Sequence, residues 1–99
     1  MKLKVVWSPD AREEYDEILQ YLVSEYGMNP ALKMLDKIES ILGHITAYPR
    51  AFPFSPLRPD IRKAVVSLQT SLLYRVTDTE IQLLHFWDNR QDPKKMELM

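Results

Sequence analysis

The sequence predicts an α+β domain. A short N-terminal strand leads into an antiparallel α-hairpin, which packs on an antiparallel β-sheet, in the order β-α-α-β-β-β. Three observations carry this. Two stretches in the first half repeat apolar residues at spacings of three and four, and each opens with a capping residue followed by proline. Three runs in the second half are rich in β-branched and aromatic residues and are parted by gaps of two or three residues. Ninety-nine residues suffice for one hydrophobic core and not for two, so residues 1–99 are read as a single domain.

The elements follow in order. LKVVW (3–7) reads as a short strand ending at Ser8. In SPDAREEYDEILQYLVSEYG, Ser8 suits the N-cap and Pro9 the first helical position. Asp10, Glu13 and Glu14 suit the positive end of the helix dipole. Ala11, Tyr15, Ile18, Leu19, Leu22, Val23 and Tyr26 form its apolar stripe. Gly27 accepts the left-handed conformation that ends a helix. A second helix is expected with Asn29 as cap and Pro30 in first position. Leu32, Leu35, Ile38, Ile41, Leu42 and Ile45 make its stripe, and it ends by Tyr48 because Pro49 disfavours helix before it. A link of about three residues makes the pair antiparallel.

PRAFPFSPLRPD (49–60) holds four prolines and reads as an ordered loop pinned by Phe52, Phe54 and Leu57. IRKAVVS, SLLYRVT and EIQLLHFWD then read as a three-strand meander, turning at residues 68–70 and 78–79. Pairing around 78–79 sets Val76 opposite Ile81, Tyr74 opposite Leu83 and Leu72 opposite His85. That register places Leu72, Tyr74, Val76, Ile81, Leu83, His85 and Trp87 on one nearly apolar face, which is expected to cover the helices. Ser71, Leu73, Arg75, Thr77, Glu80, Gln82, Leu84, Phe86 and Asp88 fall on the other.

Composition excludes several chemistries. With no Cys there is no disulfide framework, zinc-thiolate site or thiol nucleophile, and two His make a zinc site improbable. Gly27 and Gly43 are the only glycines, so no phosphate-cradling glycine loop exists. No GxSxG is present. No cofactor or metal is expected. No apolar run approaches a membrane span of roughly 18 residues, and the N-terminus is too short in apolar residues for a signal peptide. The expected location is therefore cytoplasmic. The net charge of −1 argues against general nucleic-acid binding. It divides into −3 over residues 1–47 and +2 over 48–99, so a phosphate-facing surface is expected in the second half.

Among the polar residues, His85 falls on the apolar face, where a buried, hydrogen-bonded imidazole is the plainer reading. His44 sits late in the second helix, where a cation suits the dipole. Arg62 and Lys63 point to opposite faces of the strand entering the sheet. Arg75 lies on the mixed face, with Glu80 or Asp88 as ordinary ion-pair partners. Glu13, Glu14, Asp16 and Glu17 read as a solvated helix face. After the last strand, DNRQDP turns the chain off the sheet, with Asp88, Arg90 and Asp92 bracing the turn. The last six residues are expected to order only with a partner.

VVWSPDAREEYDEILQYL, LLYRVTDTEIQLLHFW and DNRQDP together resemble, in order and spacing, the RelE/ParE superfamily of bacterial toxins, over nearly the whole chain. The resemblance implies the toxin of a type II toxin–antitoxin system, of the plasmid-stabilisation type. A cognate antitoxin, encoded beside it, wraps its C-terminal segment across the sheet and the helix hairpin and forms a hetero-oligomer with it. Trp7, Tyr15 and Tyr21 are the aromatic residues to watch for that contact. The superfamily holds two activities. RelE-like members are ribosome-dependent mRNA endonucleases, for which Arg62, Arg75 and His85 would be the catalytic residues here. ParE-like members bind DNA gyrase and need only a recognition surface, for which Lys63, Trp87, Asp88 and Arg90 are the candidates. This sequence departs from the nuclease pattern. Asp88 stands where many relatives end the last strand with His, no Tyr follows Tyr74, and Ser71 takes a position that often carries Arg. The ParE-like reading is therefore preferred, with the RelE-like nuclease and a non-toxic antitoxin-binding relic as alternatives.

Overall fold

The computed structural model describes residues 3–56, 58–91 and 94–95. Strand β1 (Lys4–Trp7) leads into helix α1 (Pro9–Tyr26) and helix α2 (Met28–Ala47), followed by β2 (Phe54–Ser55), β3 (Arg58–Val65), β4 (Thr70–Val76) and β5 (Glu80–Asp88). The sheet order is β1-β5-β4-β3-β2. The predicted α+β order holds, with two additions. A two-residue strand, β2, pairs with β3 inside the proline-rich segment. The sheet is mixed rather than wholly antiparallel, because β1 runs parallel to β5. A parallel neighbour needs a long crossover, and everything between β1 and β5 supplies it.

Ser8 caps α1 as expected, its Oγ accepting from the Ala11 amide at 2.9 Å. Gly27 at φ 92° and ψ −177° joins the helices alone. The second helix thus begins at Met28, ahead of the predicted Asn29 cap, and the link is one residue. That backbone region is open essentially to glycine. A Cβ there would touch nothing within 4 Å. Gly27→Ala is therefore expected to cost about 1–3 kcal/mol through backbone strain alone, read as a lowered midpoint in urea unfolding.

The core lies between the helices and one sheet face. Ala11, Ile38 and Ile45 meet Ala64, Leu72, Tyr74, Ile81, Leu83 and Phe86 there. Tyr74 is fully buried; its hydroxyl donates to the Pro49 carbonyl at 2.8 Å, and burial pushes its pKa up to about 12. Phe52 packs on this core, whereas Phe54 is half exposed. Leu57, the third expected anchor, lies outside the described residues, as do Asp92 and the last four residues.

The β4/β5 register corrects one expectation. Val76 faces Ile81 and Tyr74 faces Leu83 as predicted, but a bulge between Leu73 and Tyr74 then sets Leu73 opposite His85 and Leu72 opposite Phe86. An extra residue in one strand reverses every later side chain. Phe86 thereby joins the helix-facing core. Trp87 moves to the opposite face, where it clusters with Ile61, Leu73 and Leu84. His85 leaves the helix-facing core as well. It is half-buried beside the bulge.

Candidate functional site

The start of α1 is stitched to β5. Ser8 donates from its backbone to Leu83 O at 2.9 Å and from its hydroxyl to Leu84 O at 2.7 Å. One and a half turns on, Glu14 reaches the same strand. Its Oε1 accepts the Phe86 amide at 3.1 Å, and its Oε2 lies 3.3 Å from His85 Nδ1. Burial raises the Glu14 pKa, opposed by its bonds to His85 and Phe86. Glu14 is therefore not part of a merely solvated face. Its spacing, three residues after Ala11 and four before Ile18, places it on the margin of the apolar stripe.

Beyond Glu14, α1 and the second half of β5 line an open groove of about 300 Å³, to which Met34, Gln69, Arg90 and Gln91 also contribute. Ile18, Leu22 and Phe86 give it an apolar floor, and Glu14, Glu17 and Asp88 bring carboxylates. Tyr21 stands on the rim, 58% exposed, edge-on to Tyr26 at 6.3 Å. Trp7 and Tyr15 pack instead against Phe86.

The candidate nuclease residues are each engaged separately. Arg62 Nη1 donates to the carbonyls of Arg50 at 3.1 Å and Phe52 at 2.7 Å, with its guanidinium 4.0 Å from the Phe54 ring centroid. Arg75 pairs with Asp60 at 3.0 Å, and Arg58 holds the same carboxylate at 3.1 Å. His85 faces Glu14. No hydrogen bond joins any two of the three among the described residues.

Of the recognition candidates, Lys63 is half-buried and stands opposite Leu73. Trp87 is buried. Asp88 Oδ1 accepts the Arg90 amide at 2.9 Å, and its carboxylate pairs with the Arg90 guanidinium at 2.8 Å. This is the braced turn the sequence predicts after the last strand. Asn89, not foreseen, accepts from the Ser71 hydroxyl at 2.8 Å and donates to the Leu68 carbonyl at 3.2 Å, tying that turn to the β3–β4 hairpin. Among the described residues no three His, Cys, Asp or Glu side chains converge as metal ligands, and no helix is long and apolar enough to cross a membrane.

The guanidinium of Arg58, with a further contribution from Arg75, holds the Asp60 pKa down to about 2. A lowered folded pKa stabilises above the unfolded value, near 3.9 for Asp, and that contribution fades as pH falls toward the folded one. Asp60→Asn is thus expected to flatten the acid limb of stability between pH about 4 and about 2, checked by urea midpoints across that range.

The ParE_toxin family model, described as the ParE toxin of the type II toxin–antitoxin system parDE, matches residues 5–93. The chain belongs to this family. The ParE fold is also found in solved structures. A chain from the chromosomal ParDE system of P. aeruginosa superposes with a TM-score of 0.75 at 21% identity, covering 88% of this chain and 96% of that one. The YoeB dimer of Staphylococcus aureus gives 0.61 at 21% identity, covering 88% and 97%. The E. coli DinJ-YafQ toxin-antitoxin complex gives 0.62 at 12% identity, covering 89% and 93%. Comparison with curated protein sequences returned no match. As a member of the ParE family, the chain is a toxin of the type II toxin–antitoxin kind.

Proposed function

We propose that the protein arrests growth by binding a protein target, DNA gyrase being the family expectation, and that a cognate antitoxin neutralises it in the cytoplasm. One observation carries this reading. Arg62, Arg75 and His85 each serve a different structural partner. Phosphoester cleavage needs a base, an acid and charge stabilisation around one reacting atom. Recognition needs only a shaped surface. Arg90, whose side chain is 70% exposed, and Lys63 are the proposed contacts; Asp88 orients Arg90, and Trp87 supports the strand beneath it.

The test is a supercoiling assay with purified gyrase titrated with the protein. Inhibition is expected. Supercoiling untouched at large protein excess sinks the gyrase assignment. Arg90→Ala is expected to weaken inhibition about tenfold or more, while stability falls by no more than the roughly 0–1 kcal/mol of an exposed ion pair.

A further inference from the structure

The hairpin between β3 and β4 turns through Ser67, Leu68 and Gln69. Leu68 stands 93% exposed at its tip, and Val65, three residues earlier, is 59% exposed. Scattered exposed apolar side chains are ordinary on a surface. This tip is set apart by how firmly the chain holds it. The Val66 and Ser67 amides both donate to Thr70 O, at 2.9 and 3.0 Å. Ser67 Oγ accepts from the Gln69 and Thr70 amides at 3.3 and 3.2 Å. Asn89, just past the end of β5, bonds three successive carbonyls. Its side-chain amide donates to Ser67 O at 3.4 Å and Leu68 O at 3.2 Å, and its backbone amide to Gln69 O at 2.8 Å. The hydroxyl of Ser71, a fully buried residue, donates to Asn89 Oδ1 at 2.8 Å and so orients that side chain.

Water would serve those carbonyls in a turn that only reverses the chain. Here the carbonyls are bound, and the leucine among them is left in solvent. Its side chain adds almost nothing to this chain's stability, because a leucine stabilises by being buried. A fixed backbone that carries an unburied apolar side chain is pre-organised for a partner, since little freedom remains to be lost on binding. Arg90 follows Asn89 directly. Asp88 accepts from its Nε and Nη2, and no described residue accepts from Nη1. Asn89 thus fastens an apolar finger beside a cation that can still donate to another acceptor.

We propose that Leu68 is the apolar anchor of the target contact. It enters an apolar pocket on the protein target, Arg90 meets a carboxylate at the rim of that pocket, and Asn89 is the positioning residue that keeps the two in register. This rests on the target-binding reading above and adds the residue that supplies apolar burial, with the chemistry of the surface that receives it. The charge of the receiving surface follows from Arg90. Its shape follows from a leucine on a hairpin tip, which fits a hole one side chain wide and not a flat apolar face.

In the experiment, gyrase supercoiling is titrated with the parent protein and with Leu68→Ala, Leu68→Met and Asn89→Ala, and each protein is also followed by thermal melting and sedimentation. Leu68→Ala is expected to weaken inhibition about tenfold or more, at an unchanged melting temperature. The loss should be as large at high salt as at low, because apolar burial is not screened. Leu68→Met should recover most of it. Asn89→Ala should weaken inhibition as well, yet add little on top of Leu68→Ala, because the two act through one contact. An Asn89 that only stabilises the fold would add its full effect to that of Leu68→Ala. Leu68→Ala that inhibits as well as an inhibiting parent overturns the anchor and leaves the gyrase reading standing. A parent dimer that Leu68→Ala dissolves gives the leucine to a second copy and overturns the anchor too. A folded parent that leaves supercoiling untouched overturns the gyrase reading and the inference with it.

Discussion

Leu83→Ala is expected to lower stability by about 2–5 kcal/mol, because a buried leucine is replaced by a cavity the surroundings only partly close. Leu83 is fully buried and stands opposite Trp7 on one side and Tyr74 on the other. It sits where the parallel and antiparallel ladders meet, so neither flank can relax without breaking strand pairing. Domains of this size hold only about 5–15 kcal/mol in total. At about 4–8 °C per kcal/mol, the melting temperature should fall by roughly 10 °C or more. Circular dichroism melting checks this. Leu84→Ala, next in sequence but only partly buried on the opposite face, should cost clearly less.

Arg62→Ala is expected to cost about 2–3 kcal/mol, since hydrogen bonds to a charged group contribute about 1.5–3 kcal/mol. The guanidinium joins two carbonyls of the segment entering β2 and lies over Phe54. Its loss leaves the Phe52 carbonyl without that donor and releases the segment from β3. Arg62→Lys should recover little, because an ammonium cannot reproduce the planar fork. Faster amide exchange at Ala51 and Lys63, whose amides bond to Tyr48 and Pro53, would accompany the loss. A purely catalytic Arg62 would instead leave melting and exchange unchanged while toxicity vanished.

Much of the fold was legible because local signals agreed. Ser8 and Pro9 start α1, Tyr48 ends α2, and the alternation in β4 and β5 gives the correct pairing from the 78–79 turn as far as Tyr74. The bulge was not legible, since LLYRV and QLLHF offer apolar residues for either face. One inserted residue then moved His85 and Trp87 off the helix-facing core and Phe86 onto it. The partner of β1 was hidden too, because four residues carry no record of a strand more than 70 positions away. Glu14 was half legible. Its spacing marks the margin of a stripe, but only the strand beside it shows why a carboxylate is there.

A toxin that acts by binding a protein, as proposed above, leaves mRNA uncut. Primer extension on mRNA from a translating bacterial extract, with and without the purified folded protein, tests it most directly. Identical extension patterns are expected. Codon-spaced breaks that require ribosomes would contradict it and would make Arg62, Arg75 and His85 the residues of a catalytic site.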